Sequence, residues 1–290
     1  MKTARTSTML RRAIRKGTVV MPGAFNAATA RLIERAGFPA AYVSGAGLAN
    51  ATAGVPDIGL LTRKEVVQLA GYIVRAVNIP VLCDADTGFG GPGEAARTVR
   101  AFEEAGLAGL HLEDQRFPKR CGHLPGKELI AVREMTAKIR SAVRARRDPD
   151  FLIVARTDAR SVDGFEAAVA RAHSYLEAGA DAIFPEALET EREFRDFAQH
   201  VSAPLMANMT EFGRSPLLSV ARLSALGYRM VLFPLTAFRI AMRAEEKCLN
   251  ELQRLGTQKR AVGRMLTRQE LYDLLGYDPN RPDVWAGGKA

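Results

Sequence analysis

Eight short runs of β-branched and apolar residues recur along the 290 residues of the chain, and Ala-rich amphipathic segments alternate with them. The runs are Val19-Val20-Met21, Ala41-Tyr42-Val43, Pro80-Val81-Leu82-Cys83, Gly109-Leu110-His111-Leu112 and Phe151-Leu152-Ile153-Val154. Ala182-Ile183-Phe184, Pro204-Leu205-Met206 and Met230-Val231-Leu232-Phe233 complete them. Helical patterns such as 93–105, 163–178 and 217–226 lie between, mostly closed by a glycine just past the helix end: Gly37, Gly106, Gly179 and Gly227. Eight strands alternating with helices over roughly 230 residues fit a (β/α)8 TIM-type barrel, which usually takes about 250. A doubly wound open sheet is the competitor. It rarely needs eight equal repeats, and the first turn, Pro22-Gly23-Ala24-Phe25, is no dinucleotide fingerprint. The barrel is therefore expected over 1–237. The remainder, 238–290, reads as a C-terminal helical extension of the same domain. It is periodic over 241–255, and Thr267-Arg268-Gln269-Glu270 has the form of a capping box. With no Ser/Gly/Pro-rich linker before it, this extension is expected to pack on its own barrel or on a neighbouring subunit.

Composition narrows the functional classes. At 47% apolar and 25% charged the chain is not of the disordered type. No window approaches the roughly 18 apolar residues of a membrane span, and residues 1–16 lack the apolar stretch of a secretion signal. Cys83, Cys121 and Cys248 cannot all pair with one another and form no metal-type cluster, which points to a reducing cytoplasm. The net charge is +9, from 41 basic and 32 acidic residues. A nucleic-acid partner is disfavoured, because the basic runs (Arg11-Arg12 with Arg15-Lys16, and Arg144 with Arg146-Arg147) are short and not interleaved with aromatics. A solvated basic face, or attraction for a small polyanionic substrate, accounts for the excess.

Barrel enzymes carry their chemistry at the C-terminal ends of the strands, and polar residues fall there repeatedly. Ser44 follows the second run, Asp84 and Asp86 the third, Glu113 and Asp114 the fourth, Arg156 the fifth, Glu186 the sixth and Asn208 the seventh. In Asp84-Ala85-Asp86-Thr87-Gly88-Phe89-Gly90, continued strand geometry would aim both carboxylates at one face. Two such anions repel unless a cation lies between them, and Mg²⁺ or Mn²⁺ suits oxygen ligands. Asp57 and Glu113 are candidates to reach that metal through water. The second motif is Lys119-Arg120-Cys121-Gly122-His123-Leu124-Pro125-Gly126-Lys127. Its cations and His123 are expected to favour the Cys121 thiolate and lower its pKa. A Cys–His pair also permits a thiol hydrolase. The acidic pair, Arg156, and Arg239 and Arg268 of the tail instead suggest a substrate with several carboxylates. His111, inside a strand run, reads as a satisfied core histidine, and Cys83 and Cys248 as buried or incidental.

Together these stretches resemble the isocitrate lyase/phosphoenolpyruvate mutase superfamily, and within it the methylisocitrate lyases. Ala155-Arg156-Thr157-Asp158-Ala159, Phe184-Pro185-Glu186-Ala187 and Ala207-Asn208-Met209-Thr210-Glu211-Phe212-Gly213 extend the likeness, and Gly256-Thr257-Gln258-Lys259 carries it into the tail. The resemblance implies a barrel homotetramer whose C-terminal helices are swapped between subunits. It also implies Mg²⁺-assisted retro-aldol cleavage of 2-methylisocitrate to pyruvate and succinate, in the methylcitrate cycle of propionate breakdown. By position, Asp84 and Asp86 hold the metal. Ser44, Gly45, Ala46, Cys121, Gly122, His123, Arg156, Glu186, Asn208, Thr210, Arg239 and Arg268 contact substrate, while Phe184, Leu232 and Pro234 admit the extra methyl. Cys121 would be the general acid on a mobile loop, and Tyr42, sharing a strand face with Ser44, the candidate base. The alternatives are a relative acting on isocitrate, dimethylmalate or oxaloacetate, or a carboxyphosphonoenolpyruvate phosphonomutase, whose loop Leu124-Pro125-Gly126 resembles.

Overall fold

In the computed structural model, which describes residues 5–281, each of the eight expected runs supplies a strand. They are β1 (Val19–Pro22), β2 (Ala41–Val43), β3 (Val81–Asp84), β4 (Gly109–Glu113), β5 (Leu152–Thr157), β6 (Ala182–Pro185), β7 (Met206–Asn208) and β8 (Met230–Phe233). All pairings are parallel, β2 to β6 in sequence order and β1 beside β8 beside β7. Single bridges, Gly23 to Tyr42 and Ile183 to Leu205, join the two sheets into a closed (β/α)8 barrel. The seventh strand starts later than its apolar run suggested. Pro204 has no N–H to give a ladder, and its carbonyl instead accepts from Ile183 N.

Helices cover the outside: α1 (Thr6–Lys16), α2 (Ala27–Arg35), the single turn α3 (Gly45–Leu48), α4 (Arg63–Ala76), α5 (Pro92–Glu104) and α6 (Val132–Ala145). After them come α7 (Phe165–Glu177), α8 (Glu191–His200), α9 (Val220–Ala225), α10 (Thr236–Leu255) and α11 (Arg268–Leu275). The shared helix-to-strand joint works as its sequence suggests. Gly106 and Gly179 take φ values of +88° and +102°, a region that costs a residue with a Cβ.

Alternation along the strands divides the apolar residues into two cores. Ala41, Val43, Val81, Cys83, Leu110, Leu112, Ile153 and Ala155 face the helices. Met21, Tyr42, Leu82, Val154, Phe184, Met206 and Leu232 fill the barrel. The periodicity of the sequence predicts no element where helix α1 lies. Its Leu10 and Ile14 belong to the barrel-filling core, while Arg11 pairs with Asp181 at 2.8 Å, so this helix closes one end of the barrel. Burying those two side chains stabilises the fold by roughly 1.5–3 kcal/mol each.

The tail behaves differently. Helix α10 begins at Thr236, ahead of its periodic stretch, and none of its residues is buried. Ile240, Met242, Leu249 and Leu252 stand exposed along it. Thr267 and Glu270 form the expected capping box at the start of α11, which packs against α2 of the same chain. The end of the predicted extension, 282–290, lies outside the described residues.

Candidate active site

Continuing the inward alternation of the strands by two residues replaces apolar side chains with polar ones. Ladder register sets Asp84 beside His111, Glu113 beside Arg156, and Asn208 beside Leu232. Ser44, Asp84, Glu113, Arg156 and Glu186 are all buried at this rim.

Asp84 and Asp86 converge, though not as two positions of one strand. Strand β3 ends at Asp84, and the chain turns through Asp86 in the left-handed region at φ = +45°. The turn is fastened by Asp86 N donating to Asp84 Oδ1 at 2.9 Å. Gly45 N donates to Asp84 Oδ2 at 3.2 Å, and the absence of a side chain there admits both acids. A Cβ on Gly45 would meet Asp84 Oδ2 at 3.0 Å and Asp86 Oδ1 at 3.4 Å. Burial raises the pKa of both carboxyls, that of Asp86 to about 6 with the neighbouring Asp84 adding to the shift. Lys119 answers part of this charge. Its buried ammonium lies 2.7 Å from Asp86 Oδ1 and also against Asp57, so Asp57 serves first as the partner of Lys119. Glu113 is buried with neither carboxylate oxygen hydrogen-bonded among the described residues. Arg156 Nη1 stands 3.3 Å from it, and burial drives its pKa well up.

The donor set suits a hydrated dication. Among the described residues of the rim, the six carboxyl groups of Asp57, Asp84, Asp86, Glu113, Asp158 and Glu186 face three cationic side chains, Lys119, Lys127 and Arg156. Among the described residues no three His, Cys, Asp or Glu side chains form a ready coordination shell. Asp84 and Asp86 would therefore be the protein's contribution, with water completing the sphere and the orphaned Glu113 available to it, as Mg²⁺ accepts.

The Cys121 loop is pinned at its root. Gln115 exchanges two 2.9 Å hydrogen bonds with the Arg120 backbone, Gln115 bridges Leu129, and Arg116 N donates to Glu128 O at 2.7 Å. The loop lies down on the rim. A Cβ on Gly122 would come within 2.4 Å of Arg156 Nη2 and 2.5 Å of Glu186 Cγ, so only glycine permits this approach. Lys127, also buried, donates to the Gly122 carbonyl and sits 3.0 Å from Asp158 Oδ1.

Here one expectation fails. Burial pushes the Cys121 thiol up rather than down, with Glu186 adding to the rise. The loop cations thought to favour a thiolate are directed elsewhere: Lys119 to the acids, Lys127 to Asp158, and Arg120 toward the Pro125 carbonyl. His123 turns its ring to Glu186, with Nε2 2.6 Å from Oε1.

Arg156 is less free than its residue type suggested. Asp158 accepts from its Nε and Nη2 at 2.9 and 3.0 Å, closing one edge of the fork, and its guanidinium lies 5.2 Å from the Phe184 ring centre. Asp114 supports Asp158 from behind by accepting from its backbone N at 2.9 Å. Glu186, which burial alone would raise, is held below the usual carboxylate range by Arg156 and His123. Asn208 Nδ2 donates to it at 3.2 Å, and Thr210 N donates back to Asn208 Oδ1 at 3.1 Å.

Tyr42 and His111 pair inside the barrel, with the hydroxyl 2.8 Å from Nε2 and Nε2 3.5 Å from Asp84 Oδ1. His111 is thus a neighbour of the acidic pair rather than a satisfied core residue. Its Nδ1 has no partner among the described residues, and burial lowers its pKa to about 3. Burial likewise moves the Tyr42 phenol well up. This suits hydrogen bonding and leaves Tyr42 a poor resting base. Ser44 Oγ accepts from Gly47 N at 3.3 Å, which places Gly45 and Ala46 in the turn α3. Phe184 and Leu232 are buried, and the Pro234 carbonyl lies so near Gly23 that a Cβ there would be 1.9 Å away.

The tail arginines do not join this group. Arg239 donates to the carbonyl and carboxylate of Glu211, each at 2.8 Å. Arg268 is exposed at the start of α11. Lys119, Lys127 and Asp158 are the residues whose roles the sequence reading missed. Their only signal was position, two lysines bracketing Cys121 and an Asp two residues after Arg156.

Comparison with known proteins agrees with this architecture. The family model for phosphoenolpyruvate phosphomutase matches residues 10–253. The chain belongs to that family. A 2-methylisocitrate lyase of Aeropyrum pernix is 51% identical over 277 residues, covering 95% of this chain and 89% of that one. The crystal structure of 2,3-dimethylmalate lyase, a member of the PEP mutase/isocitrate lyase superfamily, superposes with a TM-score of 0.91 at 34% identity over 99% of both chains. That of phosphonopyruvate hydrolase in complex with oxalate and Mg²⁺ gives 0.86 at 31% identity over 94% of this chain and 95% of that one.

Proposed function

We propose that this chain is a divalent-cation-dependent 2-methylisocitrate lyase, releasing pyruvate and succinate. The observation that carries the reading is the docking of the Cys121 loop over a rim that holds more carboxyl groups than cationic side chains. The similarity to the Aeropyrum pernix lyase over nearly the whole chain supports it.

Mg²⁺ fits the donors, and Mn²⁺ could use the same ones. When bound, the cation would neutralise the acidic pair and stabilise the negative charge that develops on the substrate hydroxyl oxygen. The remaining work falls to the chain itself. The hydroxyl proton passes to the Tyr42 oxygen as the phenol hands its own proton to His111 Nε2, 2.8 Å away. Arg156 offers its Nη1 edge, Asn208 and Thr210 supply polar contacts at the β7 end, and the backbone of 44–46 faces the acidic pair. As the C–C bond breaks, its electron pair passes to the succinate half while the pyruvate half keeps the carbonyl. Cys121, kept protonated by its surroundings, then gives its proton to that carbon, which forms a C–H bond and leaves a thiolate to be reprotonated from solvent. Lys119 holds Asp86 and Asp57 in place, and the closed loop excludes water. Arg239 and Arg268 would reach a substrate carboxylate only by leaving their present positions.

The exposed apolar residues of α10 are read as a surface that associates with further copies, in a homotetramer with exchanged helices. The setting proposed is the cytoplasm and propionate breakdown. The functional test offers the metal-loaded enzyme 2-methylisocitrate, isocitrate and 2,3-dimethylmalate and follows cleavage. The expected result is kcat/KM at least about tenfold higher for 2-methylisocitrate, the scale on which a pocket discriminates one alkyl group. Faster cleavage of either competitor would replace this substrate assignment.

A further inference from the structure

The loop after β7 holds a second segment against the Cys121 loop, through contacts that lie away from the acidic pair. Arg214 N donates to His123 Nδ1 at 2.9 Å. Because Nδ1 accepts, the neutral ring carries its proton on Nε2, which is the nitrogen facing Glu186 Oε1 at 2.6 Å. The Arg214 side chain repeats the link, with Nε donating to the His123 carbonyl at 3.3 Å and Nη1 lying 3.2 Å from Glu189 Oε1. Glu189 is anchored in turn by Arg160, 3.0 Å away. Gly213 makes the approach possible. A Cβ there would strike His123 Nδ1 at 2.6 Å, although the backbone at Gly213 is not in the left-handed region and would itself accept alanine.

We propose that Gly213 and Arg214 form a latch that locks the Cys121 loop shut and fixes the tautomer of His123, which makes Arg214 a positioning residue for the lyase site. Lys127 tethers one shoulder of the loop to the end of β5, and the latch tethers the other to the loops after β6 and β7. Releasing it frees His123 from Arg214 while the Lys127 tether stays in place, so the loop opens from the His123 side. The inference rests on the functional reading above for its catalytic meaning, but the closure it describes is independent of the substrate.

The test measures how fast iodoacetamide alkylates each cysteine of the full chain, by peptide mass spectrometry. Cys83 is wholly buried and reports unfolding, while Cys121 is half-buried. In Arg214→Ala, Cys121 is expected to label about tenfold faster than in the wild type, the shift that loss of a charged hydrogen bond gives a two-state loop. Gly213→Ala is expected to exceed that, and to add nothing in a His123→Ala background, since the three atoms nearest its Cβ all belong to that ring. Turnover should fall through kcat with little change in KM. Unchanged Cys121 labelling in both single variants would overturn the latch, as would parallel labelling of Cys83. If labelling responds while no variant or wild type cleaves 2-methylisocitrate, the latch stands and the substrate assignment falls.

Discussion

The lower and upper halves of the barrel interior are built by the same eight strands and differ by one step of the same alternation. Below, Met21, Leu82, Val154 and Met206 fill the space by packing alone. One inward position higher stand Asp84, Arg156 and Asn208, and Tyr42 is followed by Ser44. A cavity in the lower half loses contacts that neighbours only partly restore. A deletion in the upper half unbalances charges that are buried yet paired across strands. The halves therefore divide the work: apolar layers hold the strand ends in register, and that register sets the distances between ionic groups.

Four substitutions probe this division. Asp86→Ala removes one of the two acids expected to hold the cation, and kcat should fall at least about a thousandfold under saturating Mg²⁺ with the circular dichroism spectrum unchanged. Cys121→Ser keeps the shape of the side chain but weakens the acid, so kcat should drop roughly 10²- to 10⁴-fold with KM nearly constant. Near-normal turnover would remove the acid role. Gly122→Ala must lift the loop from Arg156 and Glu186, and a loss on the order of a hundredfold in kcat is expected, since displacements of about 1 Å at a reacting centre cost that much. Leu82→Ala should reverse the pattern. Chemical denaturation should show about 2–5 kcal/mol of lost stability, while turnover per folded molecule stays within about twofold. If Leu82→Ala instead abolished turnover in fully folded protein, the two halves would not be separable.

Much of this was legible in the sequence. The strand runs, the closing glycines and the polar residues after each run follow from local periodicity, and the rim residues 44, 84, 113, 156, 186 and 208 emerge from counting along those runs. What stayed hidden depends on partners distant in the chain. The cations beside Cys121 looked like its own electrostatic environment, yet Lys119 pairs with Asp57 and Asp86, and Lys127 with Asp158. Desolvation then decides the direction of the thiol shift. Asp84 and Asp86 converge as their spacing predicts but by a different route, because a left-handed turn rather than continued strand pleating brings them together. Helix α1 carries only two core residues among many charges, so its apolar signal was weak.

The proposed chemistry depends on a single dication site built on Asp84 and Asp86 beneath the Cys121 loop. Mn²⁺ titrated into the full chain and followed by electron paramagnetic resonance tests it without any assumption about substrate. One bound ion per chain is predicted for the wild type, with binding lost in the Asp84→Ala, Asp86→Ala double variant. Equal binding by both proteins, or none by the wild type, would contradict it.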